Sequence, residues 1–142
     1  MSGVDFLDTN VLVYTLDDDA PGKQPIAARI VVEAVQFNAA MISYQVVQEA
    51  LHVVTGKFKN RVKPEDALRM LDTVWTPLMK ILPSAALYRD ALRIKDRYGF
   101  SFYDALVVAS ALQGNCKRLL SEDLQHGQVI EGLKVVNPFL GS

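Results

Sequence analysis

Val4-Asp5-Phe6-Leu7-Asp8-Thr9-Asn10-Val11-Leu12-Val13-Tyr14 runs from a short apolar strand into an acid, a hydroxyl and an amide before apolar residues resume. A strand that breaks into polar residues and then a helical pattern opens a β-α unit. Asp8 stands at that junction, and three more acids stand in comparable places: Glu49, Asp104 and Asp123. A carboxylate this close to an apolar run costs free energy unless something positive or hydrogen-bonding meets it. Four such acids, each at the end of a strand or on the helix that follows, form the layout of a metal site.

The same alternation continues along the chain. Ala39 to Ile42 is a second strand, preceded by a helix over Pro25 to Phe37 with Pro25 suited to its first turn. From Ser43 the residues Val46, Val47, Ala50, Leu51, Val53 and Val54 recur at helical spacing, and Glu49 lies just outside the edge of that stripe. Lys63-Pro64-Glu65-Asp66 opens a helix toward Trp75, and Met79 to Leu82 reads as a short strand. Pro83-Ser84 caps a helix that Gly99 ends, and Ser101 to Gln113 is apolar nearly all round, the pattern of a helix buried on several sides. Asn115 to Leu120 leads through a strand to Ser121-Glu122-Asp123, and Leu133 to Val136 is the last strand. Short strands alternating with helices predict an α/β fold, a mostly parallel sheet with helices on both faces. Ligands of such open sheets collect outside the carboxyl ends of the strands, which is where these acids fall.

Composition narrows the function classes. The 142 residues fit one domain over 1–142, with no internal repeat or low-complexity run. Met1-Ser2-Gly3-Val4-Asp5 lacks the basic-then-apolar pattern of a signal peptide, and no apolar run is long enough to span a membrane. The expected compartment is therefore the cytoplasm. Cys116 is the only cysteine and His52 and His126 the only histidines, which rules out an internal disulfide and argues against a Cys/His zinc site. Lys plus Arg number 15 against 16 for Asp plus Glu, so no global basic field attracts nucleic acid. A nucleic-acid partner would be held by local charge or through bound cations.

Crowded carboxylates have a definite chemistry. Two of them about 4 Å apart repel by about 4 kcal/mol at an effective dielectric near 20, so a tight cluster takes up protons or cations. Mg²⁺ and Mn²⁺ prefer oxygen ligands and keep several waters. Each acid also has a simpler reading taken alone. Asp8 suits a helix N-cap, Ser101-x-x-Asp104 has capping-box spacing, Glu49 suits a solvated helix edge and Asp123 a turn. Joint placement is what favours the metal site. Lys57, Lys59, Arg61 and Lys63 form a basic stretch beyond the helix that carries Glu49, either a solvated loop or a guide for phosphates. His126 is either an incidental surface histidine or a proton donor near a phosphate. Phe100, Phe102 and Tyr103 read as core and interface rather than a base-stacking platform.

Five pieces in order resemble a PIN-domain ribonuclease of the type found as the toxin in VapBC toxin-antitoxin pairs. They are Phe6-Leu7-Asp8-Thr9-Asn10-Val11-Leu12, Ser43-Tyr44-Gln45-Val46-Val47-Gln48-Glu49, Ser101-Phe102-Tyr103-Asp104-Ala105-Leu106, Leu120-Ser121-Glu122-Asp123-Leu124-Gln125-His126-Gly127 and Val135-Val136-Asn137-Pro138-Phe139. The resemblance covers nearly the whole chain. It implies a central parallel sheet of about five strands and an endoribonuclease that hydrolyses RNA with Mg²⁺ or Mn²⁺ held by Asp8, Glu49, Asp104 and Asp123, supported by Thr9, Asn10 and Ser121. A small antitoxin partner and a homodimer are implied by the resemblance alone. One departure is His126, where many relatives have an aromatic residue, and Glu122 beside Asp123 is a second candidate for the last corner. Two alternatives stand beside this reading: a PIN-like module that binds RNA or protein without catalysis, and a haloacid-dehalogenase-type phosphatase, whose Asp-x-Asp motif is broken here by Asn10.

Overall fold

A computed structural model describes residues 3–142. Met1 and Ser2, part of the stretch read above for a signal peptide, lie outside the described residues. In chain order the elements are β1 (Asp5–Leu7), α1 (Thr9–Tyr14), α2 (Gln24–Phe37), β2 (Ala40–Ser43), α3 (Tyr44–His52), α4 (Pro64–Met70), α5 (Thr76–Leu78), β3 (Met79–Ile81), α6 (Ala85–Tyr98), α7 (Phe102–Gln113), β4 (Arg118–Leu120), β5 (Val129–Ile130) and β6 (Leu133–Val136). Two wide π-helical turns, Val53–Lys57 and Leu71–Trp75, extend α3 and α4.

The sheet order is β3-β2-β1-β4-β6-β5, parallel except for the β5–β6 pair. The expected sheet of about five strands has a sixth, a two-residue antiparallel strand joined to β6 through Glu131-Gly132. Both turn residues have positive φ, 51° and 89°, the requirement of a tight turn whose twist matches the strands. Phe6 and Leu7 are adjacent in β1 and both fully buried. Successive strand side chains point to opposite faces, so helices cover the sheet on both sides.

Local chemistry sets the helix ends. Pro25 sits in the first turn of α2, and Asn38 ends it in the left-handed conformation. Ser84 Oγ accepts from the Leu87 N–H at the start of α6, and Gly99, φ 76°, closes it. In α7 every residue from Ala105 to Ala111 is buried, as the all-round apolar pattern predicts.

Topology then places the site. From β1 the chain winds outward through β2 to β3, then returns to lay β4 on the other side of β1. Strand order reverses between β1 and β4, and that switch point opens a crevice at their carboxyl ends. Leu7 is in register with Leu120, and the Asp8 N–H donates to the Leu120 carbonyl at 3.0 Å. Asp8 and Ser121 therefore leave the sheet side by side.

Candidate metal centre

Asp8 is 5 % exposed and serves as cap and site residue at once. Its Oδ1 accepts from the Thr9 N–H at 2.7 Å, capping α1, while its Oδ2 accepts from the Ser121 hydroxyl at 2.7 Å. Burial nevertheless pushes its carboxyl up to about 6, against the lowering by Ser121 and Thr9 and with a further push from the Asp123 and Glu49 charges. Ser121, itself fully buried, also accepts from the Asp123 N–H at 3.1 Å. Ser121→Ala thus strands a carboxylate oxygen and an N–H together. It is expected to cost about 1–3 kcal/mol at neutral pH, read as a lower urea midpoint.

The other acids arrive on separate elements. Glu49 comes from the second turn of α3, where its Oε1 accepts from the Thr9 hydroxyl and from Gln45 Nε2, each at 3.1 Å. Asp104 rides the first turn of α7. The Ser101 hydroxyl accepts from the Asp104 N–H at 3.2 Å, so only half of a capping box forms and the Asp104 carboxylate stays available to the crevice. Asp123 follows β4, with its Oδ2 accepting from Asn10 Nδ2 at 3.2 Å. Partial desolvation raises the Asp123 carboxyl above its usual range; Asn10 lowers it, and the Asp104 and Glu122 charges raise it. Asp8, Glu49, Asp104 and Asp123, with Thr9 and Asn10, line one cavity of about 390 Å³.

Glu122 has a different task. Its carboxylate accepts from the Tyr14 hydroxyl and, at 2.9 Å, from Lys23 Nζ, tying α1 and the start of α2 to the end of β4. With Glu122 engaged there, Asp123 is the acid that lines the cavity. His126 Nδ1 accepts from the Asn137 N–H at 3.0 Å, holding the β4–β5 connection, and His126 is not part of the cavity wall. Lys57, Lys59 and Arg61 are exposed and lie outside the cavity wall too, although Lys59 lines a small neighbouring cleft with Asp17 and Phe58, which do belong to that wall. Tyr103 is 64 % exposed rather than core, while its neighbour Phe102 in the same turn of α7 packs against the core.

Gln45 was not singled out by the sequence. It is buried, lines the cavity and orients Glu49. The available signal was its i, i+4 spacing to Glu49, which sets the two side chains on one helix face.

The donor set suits a hydrated oxygen-loving cation. Among the described residues no three His, Cys, Asp or Glu side chains close into a ready-made cage. An ion that keeps several of its own waters needs only one or two carboxylates directly and further oxygens around it. Asn10 Oδ1 is buried without a hydrogen-bond partner, an acceptor free for such a water, and the Asp8 carboxyl, raised chiefly by burial and further by the Asp123 and Glu49 charges, is a group whose ionised form a cation would favour.

Residues 6–131 match the profile of the PIN domain. The chain belongs to the PIN-domain family. Membership displaces the haloacid-dehalogenase alternative and agrees with the six-stranded α/β architecture. A search of curated proteins gave no match. Among solved structures the PIN domain described here is similar to a chain of a toxin-antitoxin complex from Klebsiella pneumoniae, with 17% identity over 94% of this chain and 97% of that one and a TM-score of 0.65. It is similar to VapC20 of Mycobacterium tuberculosis, described as a Sarcin-Ricin loop cleaving toxin, with 19% identity over 84% and 91% of the two chains and a TM-score of 0.59. VapBC2 from Rickettsia felis, bound to a DNA fragment from its promoter, gives 21% identity, 93% and 96% coverage and a TM-score of 0.62. At these identities the likeness is one of fold. No helix among the described residues is long and apolar enough to cross a membrane.

Proposed function

We propose that this PIN domain is a divalent-metal-dependent endoribonuclease, the toxin of a toxin-antitoxin pair, acting in the cytoplasm as a homodimer restrained by a small antitoxin. The observation that carries the reading is the convergence of Asp8, Glu49, Asp104 and Asp123, from four separate elements, on one cavity at the switch point of the sheet. The fold's likeness to toxin-antitoxin proteins, one of them an RNA-cleaving toxin, supports the biological role.

Mg²⁺ or Mn²⁺ would be held by the four carboxylates, and when bound it activates a water and neutralises charge on the phosphodiester. The chain's own part is to hold the acids in place beforehand. Ser121 and Thr9 fix both oxygens of Asp8, Thr9 and Gln45 fix Glu49, and Asn10 fixes Asp123. Locked supporting hydrogen bonds of this kind are what a preorganised site needs. The acidic cavity repels an RNA backbone until cations fill it, so metal binding and substrate binding are coupled.

Incubating the protein with a cellular RNA pool, with and without Mg²⁺ or Mn²⁺, and mapping the cut ends tests the reading. Metal-dependent cuts at a restricted set of sites are expected; tight binding without cuts would instead make the domain a binding module. Lys57, Lys59 and Arg61 are assigned the role of guiding phosphates toward the cavity. Lys57→Glu with Lys59→Glu should then weaken RNA binding and reduce its log-log salt slope by about 1.4, at about 0.7 per phosphate on single strands. Unchanged affinity and slope, measured on catalytically silent protein from low to moderate salt, would return these lysines to ordinary surface residues.

A further inference from the structure

Asp123 is the most exposed of the four acids, and the one side chain that bonds its carboxylate is Asn10. Glu122 stands beside it as a rival, with the same chemistry one position away on a longer stem. Asn10 and Tyr14, four residues apart on α1, share a helix face and hold one acid each. Asn10 Nδ2 donates to Asp123 Oδ2 at 3.2 Å, and the Tyr14 hydroxyl donates to Glu122 Oε1.

Lys23 completes the hold on Glu122. Its Nζ donates to Glu122 Oε2 at 2.9 Å and to the Tyr14 hydroxyl oxygen at 3.2 Å, and it lies 4.8 Å from the centroid of the Tyr14 ring. Phe139 meets the same ring edge to face, with centroids 5.0 Å apart. Tyr14 lines the acid cavity, whereas Glu122 and Lys23 do not, so both oxygens of Glu122 are engaged outside the cavity wall. The Lys23 and Glu122 side chains are 32 % and 21 % exposed, enclosed enough for solvent ions to screen the pair less than one in open water. Among the described residues none of the four cavity acids pairs with a Lys or Arg. The acid at this corner that has a cation of its own is the one that stays out of the cavity.

We propose that Lys23 is a positioning residue of the metal centre: by neutralising Glu122 and pinning it behind Tyr14, it reserves the corner of the cavity for Asp123. The proposal rests on the metal-dependent nuclease reading and adds a residue that decides which carboxylates meet the cation. Without Lys23, Glu122 carries an uncompensated charge beside Asp123, and a divalent cation in the cavity becomes the nearest opposite charge. A Glu122 carboxylate drawn into the cavity would strengthen the hold on the cation. It would also take a place that a hydrated Mg²⁺ or Mn²⁺ keeps for water, and hydrolysis consumes a water. Tighter metal with slower cleavage is therefore the signature of losing Lys23.

A double-mutant cycle tests this with Lys23→Met, which keeps an unbranched stem over Tyr14 and removes the charge, Glu122→Gln, and the two combined. Mn²⁺ affinity is read by paramagnetic resonance, and kcat and KM on one mapped RNA site at saturating Mn²⁺. Lys23→Met is expected to lower kcat by about 10- to 100-fold, the usual range for a residue that orients a metal ligand, with KM little changed. It should bind Mn²⁺ at least as tightly as the wild type. Adding Glu122→Gln should restore most of kcat, because the neutral amide has no charge to draw it to the cation, and Glu122→Gln alone should cost far less than Lys23→Met. Weaker Mn²⁺ binding by Lys23→Met, wild-type kcat in that variant, or a loss that Glu122→Gln does not relieve would overturn the proposal. Equal losses in the two single variants would do the same, since a clasp that only braces the fold suffers alike from either end. Wild-type protein that binds Mn²⁺ and cuts no RNA would sink the nuclease reading alone, because the Mn²⁺ affinities still report on Lys23 and Glu122; wild-type protein that binds no Mn²⁺ would sink both.

Discussion

Asp104→Asn is expected to lower RNA cleavage by about a thousandfold or more while leaving the fold intact. The substitution removes a full charge at almost constant volume from the first turn of α7. The Asp104 N–H that donates to Ser101 Oγ belongs to the backbone and survives it. A cation held against a reacting phosphodiester is worth several kcal/mol of transition-state stabilisation, and about 4 kcal/mol corresponds to about a thousandfold in rate. Cleavage rates on one mapped RNA site, beside thermal melts of both proteins, check the result. Near-wild-type turnover in rigorously purified Asp104→Asn protein would remove Asp104 from the site.

Asp8→Asn should do more than remove cleavage: in metal-free buffer above pH 6 it should make the protein more stable. Burial holds the Asp8 carboxyl at about 6 in the folded chain, against 3.8 as its unperturbed value. Between those two values the folded chain binds a proton that the unfolded chain has released. Protonation therefore favours folding, and metal-free stability falls as pH rises from about 4 through about 6. Above that window the ionised, buried carboxylate costs up to about 3 kcal/mol. Asparagine keeps the shape, with its amide oxygen facing the Thr9 N–H and its amide nitrogen facing Ser121 Oγ, and carries no charge. A gain in Tm of up to about 8 °C is expected at pH 7.5, shrinking toward zero at pH 4. An equal shift at both pH values would mean that the gain has nothing to do with the Asp8 charge.

The sheet was legible because its strands enter polar residues abruptly. The burial of Phe6, Leu7, Leu119 and Leu120 follows from runs too short and too apolar for anything but strands covered on both sides. β5 was not legible: two residues carry no periodicity, and its only local sign is the Glu131-Gly132 turn, with glutamate in place of the usual Asn or Asp. Nor were the π-helical turns, since Val53 and Val54 continue the stripe of α3 at helical spacing whether or not the turn widens. At the site, helix-cap and ligand readings of Asp8 were rivals in sequence and are compatible in space, because its two oxygens face different partners. Glu122 and Asp123 differ by one position, and only the placement of Tyr14 and Lys23, distant in sequence, separates their tasks.

The most direct test of the four-acid account is Mn²⁺ binding, followed by paramagnetic resonance, measured together with RNA cleavage in wild-type protein and in the Asp8→Asn/Asp104→Asn double variant. A ligand that binds only the folded state stabilises it by mass action, so Mn²⁺ should also raise the wild-type Tm. The account predicts that the wild type binds Mn²⁺, melts higher with it and cuts RNA only in its presence, whereas the double variant loses all three responses. Equal Mn²⁺ binding by both proteins, or RNA cleavage by the wild type that persists in excess chelator, would contradict it.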